Sequence, residues 1–325
     1  MKSLFSEEGR FYRAALHTHS SLSDGELSPE QLKAYYRAHG FDILAIVDHE
    51  VFCSHDNLCE SDFLVLSGYE IAFGNVREDF FSTPTCHISL IAKNQNVKAL
   101  VGIDTAYLPK GSALPLLYEG KTVKREYSLD SIASVLEQAS EAGFLPFLNH
   151  PAWSLENPFQ FCHYPALGGV EVYNHLSYME GGQDNSALPL DLLLSQGQFP
   201  LPLATDDFHG ENNHGTGGFT MICATSLAYE DVIFALEAGQ AYASNGPLLY
   251  RLFSEDGYLR FSCSGIKEAA LITPLRPTSA RIVSSGEDLY YGEFAIPPSA
   301  PWVRLELTDR EGKKLWTRAY KSSEL

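Results

Sequence analysis

The most informative part of this sequence is the stretch Leu16-His17-Thr18-His19, together with Ser23-Asp24-Gly25 and Val47-Asp48-His49. Residues two apart on an extended strand point to the same face of a sheet, so His17 and His19 can present two imidazoles to one ion. A histidine pair of this kind, with a further aspartate and a further histidine nearby in the sequence, predicts a metal site.

Apolar runs that lead into an acidic or imidazole residue recur along the chain. Ile43-Leu44-Ala45-Ile46-Val47 is followed by Asp48 and His49, and Phe63-Leu64-Val65-Leu66 precedes Glu70. A buried strand that ends in a group needing a proton or a metal is unusual, and its repetition predicts that several strand ends meet around metal ions. The later members of this series are His87, His150, Asp206, Asp207 and His209.

Length and composition are those of a globular protein with one large and one small domain. The chain has 325 residues, of which 45% are hydrophobic. Its apolar stretches are much shorter than the roughly 20 residues that cross a bilayer, and residues 1–10 lack the apolar region of a secretory signal. We therefore expect a cytoplasmic protein without a membrane partner. The six cysteines form no CxxC pair, which favours reduced, buried thiols over a thiolate zinc site.

The charge balance restricts the class of partner. Against 23 basic residues stand 41 acidic ones, a formal net charge of −18. A surface of this sign repels polyanions, so we expect no stable binding of duplex nucleic acid. A small anionic, phosphorylated substrate remains compatible with the charge because bound divalent ions supply positive charge locally.

The pattern of apolar and polar residues along the sequence predicts two domains. Residues 1–248 alternate strand-like runs with amphipathic segments, the pattern of parallel βα units, and the candidate ligands lie mostly where the strands end. Residues 249–325 contain short alternating runs and turn signals, which predict a small, sandwich-like, all-β domain. The strand candidates of the first domain lie near 13–18, 43–48, 64–70, 87–92, 145–150, 170–173 and 201–205.

Residues 93–127 form an insertion without clear periodicity. Six basic residues stand there against three acidic ones, the reverse of the balance in the whole chain. The excess predicts a lid that faces an anionic substrate, with Lys121, Lys124 and Arg125 as contacts; an irregular solvated loop is the alternative.

The ordered motifs resemble those of the PHP (polymerase and histidinol phosphatase) family of metal-dependent phosphoesterases. The likeness covers residues 11–248 and rests on the set as a whole, since HxH alone is common. It implies a distorted (β/α)7 barrel with two or three divalent metals, zinc, manganese or iron, at the C-terminal ends of the strands. The motifs are His17-x-His19, Ser23-Asp24-Gly25, Asp48-His49, Gly68-Tyr69-Glu70, His87, Asn149-His150-Pro151 and Asp207-x-His209.

The resemblance also implies how the ligands divide among three metals. His17, His19, Glu70 and Asp207 resemble the ligands of one metal. Glu70 would bridge to a second metal, held by His87 and His150. Asp24, His49 and His209 resemble the third group of a trinuclear site.

A second, weaker likeness concerns residues 238–247 and the β domain after them. It is to the branch of the family that includes a carbamate-insecticide hydrolase, and it keeps carboxyl esters and carbamates open as substrates. The preferred interpretation is hydrolysis of a phosphomonoester, small phosphodiester or nucleotide by a metal-bridging hydroxide. A non-catalytic metal-binding module is the third possibility.

Four residues are assigned catalytic roles on this interpretation: Glu70 and Asp207 at the metals, and His209 or His175 as proton donor to the leaving group. His214, in the loop after the last ligands, is a candidate substrate contact. Asp48 and Asp206 each precede a ligand, and we expect them to orient ligand imidazoles or to cap helices.

Overall fold

The computed structural model describes residues 1–74, 82–97, 100–108, 122–211, 214–276 and 280–325. These residues form a mixed α/β fold with one very large sheet and one of four strands. The strands are β1 (Lys2–Ser3), β2 (Arg10–Ala15), β3 (Ile43–Ile46), β4 (Leu64–Phe73), β5 (Cys86–Ala92), β6 (Phe144–Leu148), β7 (Gly169–Asn174), β8 (Leu201–Thr205), β9 (Phe219–Ala224), β10 (Ala241–Ser244), β11 (Leu249–Glu255), β12 (Tyr258–Ile266), β13 (Glu268–Ile272), β14 (Ala280–Val283), β15 (Leu289–Ala295), β16 (Trp302–Thr308), β17 (Lys314–Thr317) and β18 (Tyr320–Lys321).

Six helices connect these strands, and their ends follow from the sequence. Ser28 caps the first helix and forms a capping box with Gln31, and Pro29 occupies the first helical position. Ser128 caps the second helix, whose buried face packs against the sheet. The helices are α1 (Pro29–Ala38), α2 (Leu129–Glu141), α3 (Pro158–Phe161), α4 (His175–Met179), α5 (Leu188–Ser195) and α6 (Tyr229–Glu237). No described helix is long and apolar enough to cross a membrane.

Strands β2 to β8 lie side by side in chain order within the large sheet. Pairs β2–β3, β3–β4, β6–β7 and β7–β8 are parallel, as expected. Strand β5, however, is antiparallel to β4 and to β6. Because β5 runs in the opposite direction, its first residues lie at the edge where its neighbours end. His87 therefore reaches the common edge from the start of a strand.

The two outer strands of this series approach each other at the same edge. Thr18 and Phe208 form an isolated parallel bridge. The amide of His19 donates to the carbonyl of Phe208 at 2.9 Å, and the amide of Asp207 donates to the carbonyl of His17 at 3.1 Å. Along most of its length, however, β2 pairs with antiparallel β9, and the described residues show no ladder between β8 and β2. A closed (β/α)7 barrel is therefore not confirmed.

The large sheet continues into the C-terminal part of the chain. Strand β10 pairs with β17, with Tyr242 opposite Thr317, and the sheet extends through β16 and β13 to β14. The four-stranded sheet has the order β1-β11-β12-β15, so the N-terminal strand belongs to it as well. Buried side chains such as Leu252, Leu259 and Leu305 form a core in this region. Sheet pairing thus crosses the predicted domain boundary at 248, and the boundary itself stays a prediction.

Candidate metal centre

All nine predicted ligands lie together at one edge of the large sheet. A cavity of about 300 Å³ opens there, and seven of the nine line it. His17 and His19 lie at its base, and both are almost completely buried. The cavity ligands are Asp24, His49, Glu70, His87, His150, Asp207 and His209.

Glu70, in β4, is the central residue of the site. Its side chain is fully buried, and its carboxylate lies within 3.5 Å of a nitrogen in each of five imidazoles. The shortest distance, 3.0 Å, joins its Oε2 to Nδ1 of His49. One carboxylate surrounded in this way can serve more than one cation. The other four imidazoles belong to His17, His19, His87 and His150.

Asp207 is the second carboxylate at the base of the cavity. Its Oδ1 lies 3.3 Å from Nε2 of His17 and 3.3 Å from Nε2 of His19. The φ angle of Asp207 is 53°, and that of His150 is 24°. Left-handed backbone in residues with a side chain is strained, and such strain concentrates at functional sites.

Asp24 forms a third group nearer the mouth of the cavity. Its carboxylate lies 3.4 Å from Nε2 of His209, 3.7 Å from Nε2 of His49 and 3.8 Å from Nδ1 of His19. The Ser-Asp-Gly motif requires glycine at position 25, because a Cβ there would lie 2.2 Å from the carbonyl oxygen of His19. The close approach brings the Asp24 loop over the histidines.

The nine residues divide into four overlapping donor groups, each with its ligand atoms within 4.8 Å of one another. This division differs from the one the family resemblance implied. His150 groups with His17 and Asp207, and His19 joins the group at the mouth. Glu70 is shared by two groups, one with His17 and His19 and one with His49 and His87.

Glu171, in β7, is a site residue that the sequence reasoning missed. Its Oε1 lies 2.8 Å from Nδ1 of His17 and accepts a hydrogen bond from Oγ1 of Thr205 at 2.7 Å. Its Oε2 accepts from the amide of His150 at 2.7 Å. The carboxylate therefore orients the His17 ring so that Nε2 faces Glu70 and Asp207. An acidic residue inside the apolar run 169–174 was the available signal.

Asn149 fixes the central carboxylate in a similar way. Its Nδ2 donates to Oε1 of Glu70 at 2.6 Å and to Oγ of Ser89 at 2.8 Å. The adjacent His150 places Nδ1 3.0 Å from Oγ of Ser154, which leaves Nε2 toward the cavity. Asn149-His150 thus contributes one ligand candidate and one orienting group.

Asp48 and Asp206 do not orient imidazoles, contrary to expectation. Asp48 accepts hydrogen bonds from the amide and hydroxyl of Ser20 and from the hydroxyl of Ser23, each at 2.7 Å. Asp206 accepts from the amides of Gly217 and Gly218. Asp48 thus fixes the loop that carries Asp24. Asp206 fixes the backbone of the loop that follows His209.

The predicted proton donor His175 does not line the cavity. Its Nδ1 lies 2.8 Å from the hydroxyl of Tyr173, and its Nε2 lies 3.3 Å from the carbonyl oxygen of His214. His214 itself is exposed and is also absent from the cavity lining. The histidines that line the cavity beside Asp24 are His49 and His209.

The predicted basic contacts are not brought to the cavity either. Arg125 is buried, with Nη2 2.8 Å from Oε2 of Glu50, because the guanidinium neutralises this buried acid. Lys124 is exposed and forms an ion pair with Glu126. Lys121 lies outside the described residues.

Burial and mutual charge shift the pKa values of the site residues. Burial opposes ionisation of Glu70 and Asp207, but the surrounding imidazoles outweigh it and hold both carboxyl pKa values well below their usual range. For His49 burial lowers the pKa, but the carboxylates of Glu70, Asp24 and Asp207 together outweigh it and raise the pKa to about 9. For His19 burial, together with His49, lowers the pKa to about 3.

The donor set fits divalent transition metals. Two buried ring nitrogens in it have no hydrogen-bond partner among the described residues: Nδ1 of His19 and Nε2 of His87. Such atoms cost free energy unless a cation or another partner compensates for lost hydration. Imidazole and carboxylate ligands together suit zinc, manganese and iron, so the residues present are those that such ions require.

Comparison with known proteins gives structural likenesses only. No family model matches the sequence, and no curated protein is similar to it. A two-domain protein from Bacteroides vulgatus, provisionally named as containing a PHP-like metal-dependent phosphoesterase, has 13% identity and a TM-score of 0.46, with 98% of each chain covered. A protein from Bifidobacterium adolescentis, provisionally named a metal-dependent phosphoesterase, has 16% identity and a TM-score of 0.41 over 61% of this chain and 87% of its own.

A third solved structure is an amidohydrolase from Chromobacterium violaceum with bound sulfate and no metal. It has 17% identity and a TM-score of 0.39 over 63% of this chain and 90% of its own. At these scores the likenesses carry no functional conclusion for this chain. Two of these three structures are named as metal-dependent phosphoesterases, one of them PHP-like.

Proposed function

We propose that the protein is a PHP-type, metal-dependent hydrolase that cleaves phosphate esters. The observation that carries this proposal is the position of Glu70, a buried carboxylate with five imidazoles within 3.5 Å. A buried acid in such surroundings is suited to bridging two cations. Adjacent cations are the usual means of stabilising charge in phosphoryl transfer.

We propose further that strands β2 to β8 form a distorted (β/α)7 barrel. The parallel bridge between Thr18 and Phe208 and its two flanking hydrogen bonds join the outer strands where the site residues lie. Closure at this edge, rather than along a whole ladder, leaves β2 free to pair with β9. Residues 249–325 form the sandwich-like β domain in this proposal.

The four donor groups indicate which residues would hold the metals. His17, His19 and Glu70 would hold one ion, with His150 and Asp207 beside His17, and His49, Glu70 and His87 would hold a second. His19, Asp24, His49 and His209 would hold a third. Divalent ions there would supply positive charge to a phosphate and acidify water near it.

The protein's own residues perform the remaining tasks. Glu171 and Asn149 hold His17 and Glu70 in place through the hydrogen bonds described above, so these groups need no reorganisation when substrate binds. When the third metal position is empty, Nε2 of His209 is free of a metal and faces the mouth near Asp24. We assign protonation of the leaving group to His209 in that state. We do not assign His175 as the proton donor, because its ring nitrogens face Tyr173 and His214.

A second candidate function is hydrolysis of carboxyl esters or carbamates at the same site. The favouring observation is the cavity wall: no lysine or arginine among the described residues lines it, whereas Trp153 and Leu176 do. A neutral ester would suit this wall, and a metal would polarise its carbonyl.

The two candidates are separated by one assay on protein of measured metal content. After reconstitution with zinc, manganese or iron, phosphomonoesters, phosphodiesters and aryl carboxylates are compared by kcat/KM. We expect the highest value for a phosphate ester and loss of turnover in Glu70→Gln. A preference for aryl carboxylates would favour the second candidate, and full metal content without turnover would favour a binding module.

A further inference from the structure

A second cavity adjoins the candidate metal centre. Its volume is about 390 Å³, and it shares Trp153 and Glu180 with the first cavity. The rest of its described wall is uncharged and includes Thr83, Leu155 and Gln183. None of the nine candidate ligands lines it. The two cavities therefore border on the same two side chains, Trp153 and Glu180.

Trp153 is held as a wall between the two cavities. Its ring centroid lies 4.9 Å from that of His150 and 5.8 Å from that of His87, in edge-to-face arrangements. Its backbone amide donates to Oδ2 of Asp184 at 2.8 Å, which fixes the turn that carries it. An indole fixed by its neighbours offers a planar surface on which a ring of the substrate can stack.

Glu180 contributes a carboxylate to the wall of both cavities. It follows α4, is exposed, and forms no ion pair with any described residue. No lysine or arginine among the described residues lines either cavity. Beyond the reach of the metals, a second anionic group on a substrate would thus meet a carboxylate and no cation. A hydroxyl or amino group could donate a hydrogen bond there instead.

We propose that Trp153 and Glu180 select the alcohol portion of the substrate. The substrate class is a phosphomonoester whose alcohol portion is an uncharged planar ring with a hydrogen-bond donor and no second anionic group. The ring stacks on Trp153, and its donor faces Glu180. This inference rests on the phosphate-ester hydrolysis proposed above.

The test compares three aryl phosphates and one alkyl phosphate: 4-aminophenyl, phenyl, 4-carboxyphenyl and ethyl phosphate. The proteins are wild type, Glu180→Gln, Trp153→Leu and, as a control, Glu141→Gln, which removes an exposed acid at the end of α2. Each variant's kcat/KM is divided by the wild-type value for the same substrate, which cancels the differing reactivity of the esters. Metal content and circular dichroism verify that each variant is folded and loaded.

We expect Glu180→Gln to raise kcat/KM for 4-carboxyphenyl phosphate about fivefold, the effect of removing one exposed like charge. The same variant should lower the value for 4-aminophenyl phosphate and leave that for phenyl phosphate unchanged. Trp153→Leu should lower the value for all three aryl esters but not for ethyl phosphate. Glu141→Gln should change none of them.

Equal effects of Glu180→Gln on the amino and carboxy esters, in a wild type that hydrolyses them, would overturn this selection and leave the proposed function intact. If Trp153→Leu does not fold, the Glu180→Gln ratios alone decide. A fully metal-loaded wild type that hydrolyses none of the four esters would overturn the proposed function and this inference with it.

Discussion

Nη2 of Arg125 lies 2.8 Å from Oε2 of Glu50, and the two side chains are 0% and 9% exposed. Glu50 follows the candidate ligand His49, and its φ of 60° places it in the left-handed region. Its Oε1 accepts a hydrogen bond from the amide of Ala72 in β4. The guanidinium of Arg125 also lies over the ring of Tyr107, 4.2 Å from its centroid. The ion pair thus connects residues 122–127 to the turn that carries His49.

Replacing Arg125 should destabilise the fold and weaken the site. Arg125→Met leaves the carboxylate of Glu50 buried without its partner, which we expect to cost about 3–5 kcal/mol in the free energy of unfolding. Urea unfolding measures this cost, and metal titration should show weaker binding. Lys124→Met is the matched control, since the ion pair of Lys124 with Glu126 is exposed and screened by solvent. Similar stability losses in the two variants would contradict the role given to Arg125.

Metal content should depend on Glu70. We expect at least two transition-metal equivalents per chain in the reconstituted wild type, because the donor groups that share Glu70 each need a cation to compensate for burial. Glu70→Gln should lower metal content by elemental analysis and abolish hydrolysis. His39→Gln, at the end of α1, should retain both. Equal metal content in the two variants would show that Glu70 is not a shared ligand.

Glu171 should affect metal affinity without being a ligand. Glu171→Gln keeps the shape of the side chain but weakens the hydrogen bonds to His17, Thr205 and the amide of His150. Loss of such a partner lowers metal affinity by about 10–100-fold. Competition with a fluorescent chelator measures it, with Glu141→Gln as control. Unaltered affinity in Glu171→Gln would mean that His17 needs no such orientation.

Glu156 should make stability depend on pH. Burial raises the pKa of its carboxyl group from 4.5 to about 7, although hydrogen bonds from Cys86, Tyr127 and Tyr164 oppose the shift. Because the folded-state pKa is the higher one, stability is fully present below about pH 4.5 and is lost as the pH rises through 7. At 1.36 kcal/mol per pKa unit, the loss above pH 7 is at most about 3 kcal/mol.

The variant Glu156→Gln isolates this contribution because an amide cannot ionise. We expect the variant to gain stability relative to wild type between pH 5 and pH 8, measured by urea unfolding at both values. Other titrating groups affect both proteins alike and cancel in the difference. A difference in stability that is the same at the two pH values would contradict the raised pKa.

The sequence was informative about the site because its ligands follow a local rule. Alternation along a strand places His17 and His19 on one face, and apolar runs mark where strands end, so the edge that collects the side chains could be predicted. The capping residues Ser28 and Ser128 likewise give the starts of α1 and α2, since a cap is a short-range interaction.

Features that depend on distant pairing could not be predicted. The antiparallel direction of β5 is set by its neighbours β4 and β6, and its own residues would suit either direction. The residues around Arg125 in the sequence have the composition of a solvated loop. Its burial is explained by contact with Glu50, which lies far away in the sequence. Glu171 in a strand gives no local indication that His17 will lie beside it.

The pairing of β10 with β17 has a consequence for how the chain folds during synthesis. Residues 241–244 emerge from the ribosome well before their partner strand at 314–317. Until residues 314–317 are made, one edge of the large sheet in the nascent chain has exposed, unpaired backbone groups, a template for association with other chains. A fragment that ends at residue 248 would have this exposed edge permanently, so we expect it to aggregate when the full-length chain does not.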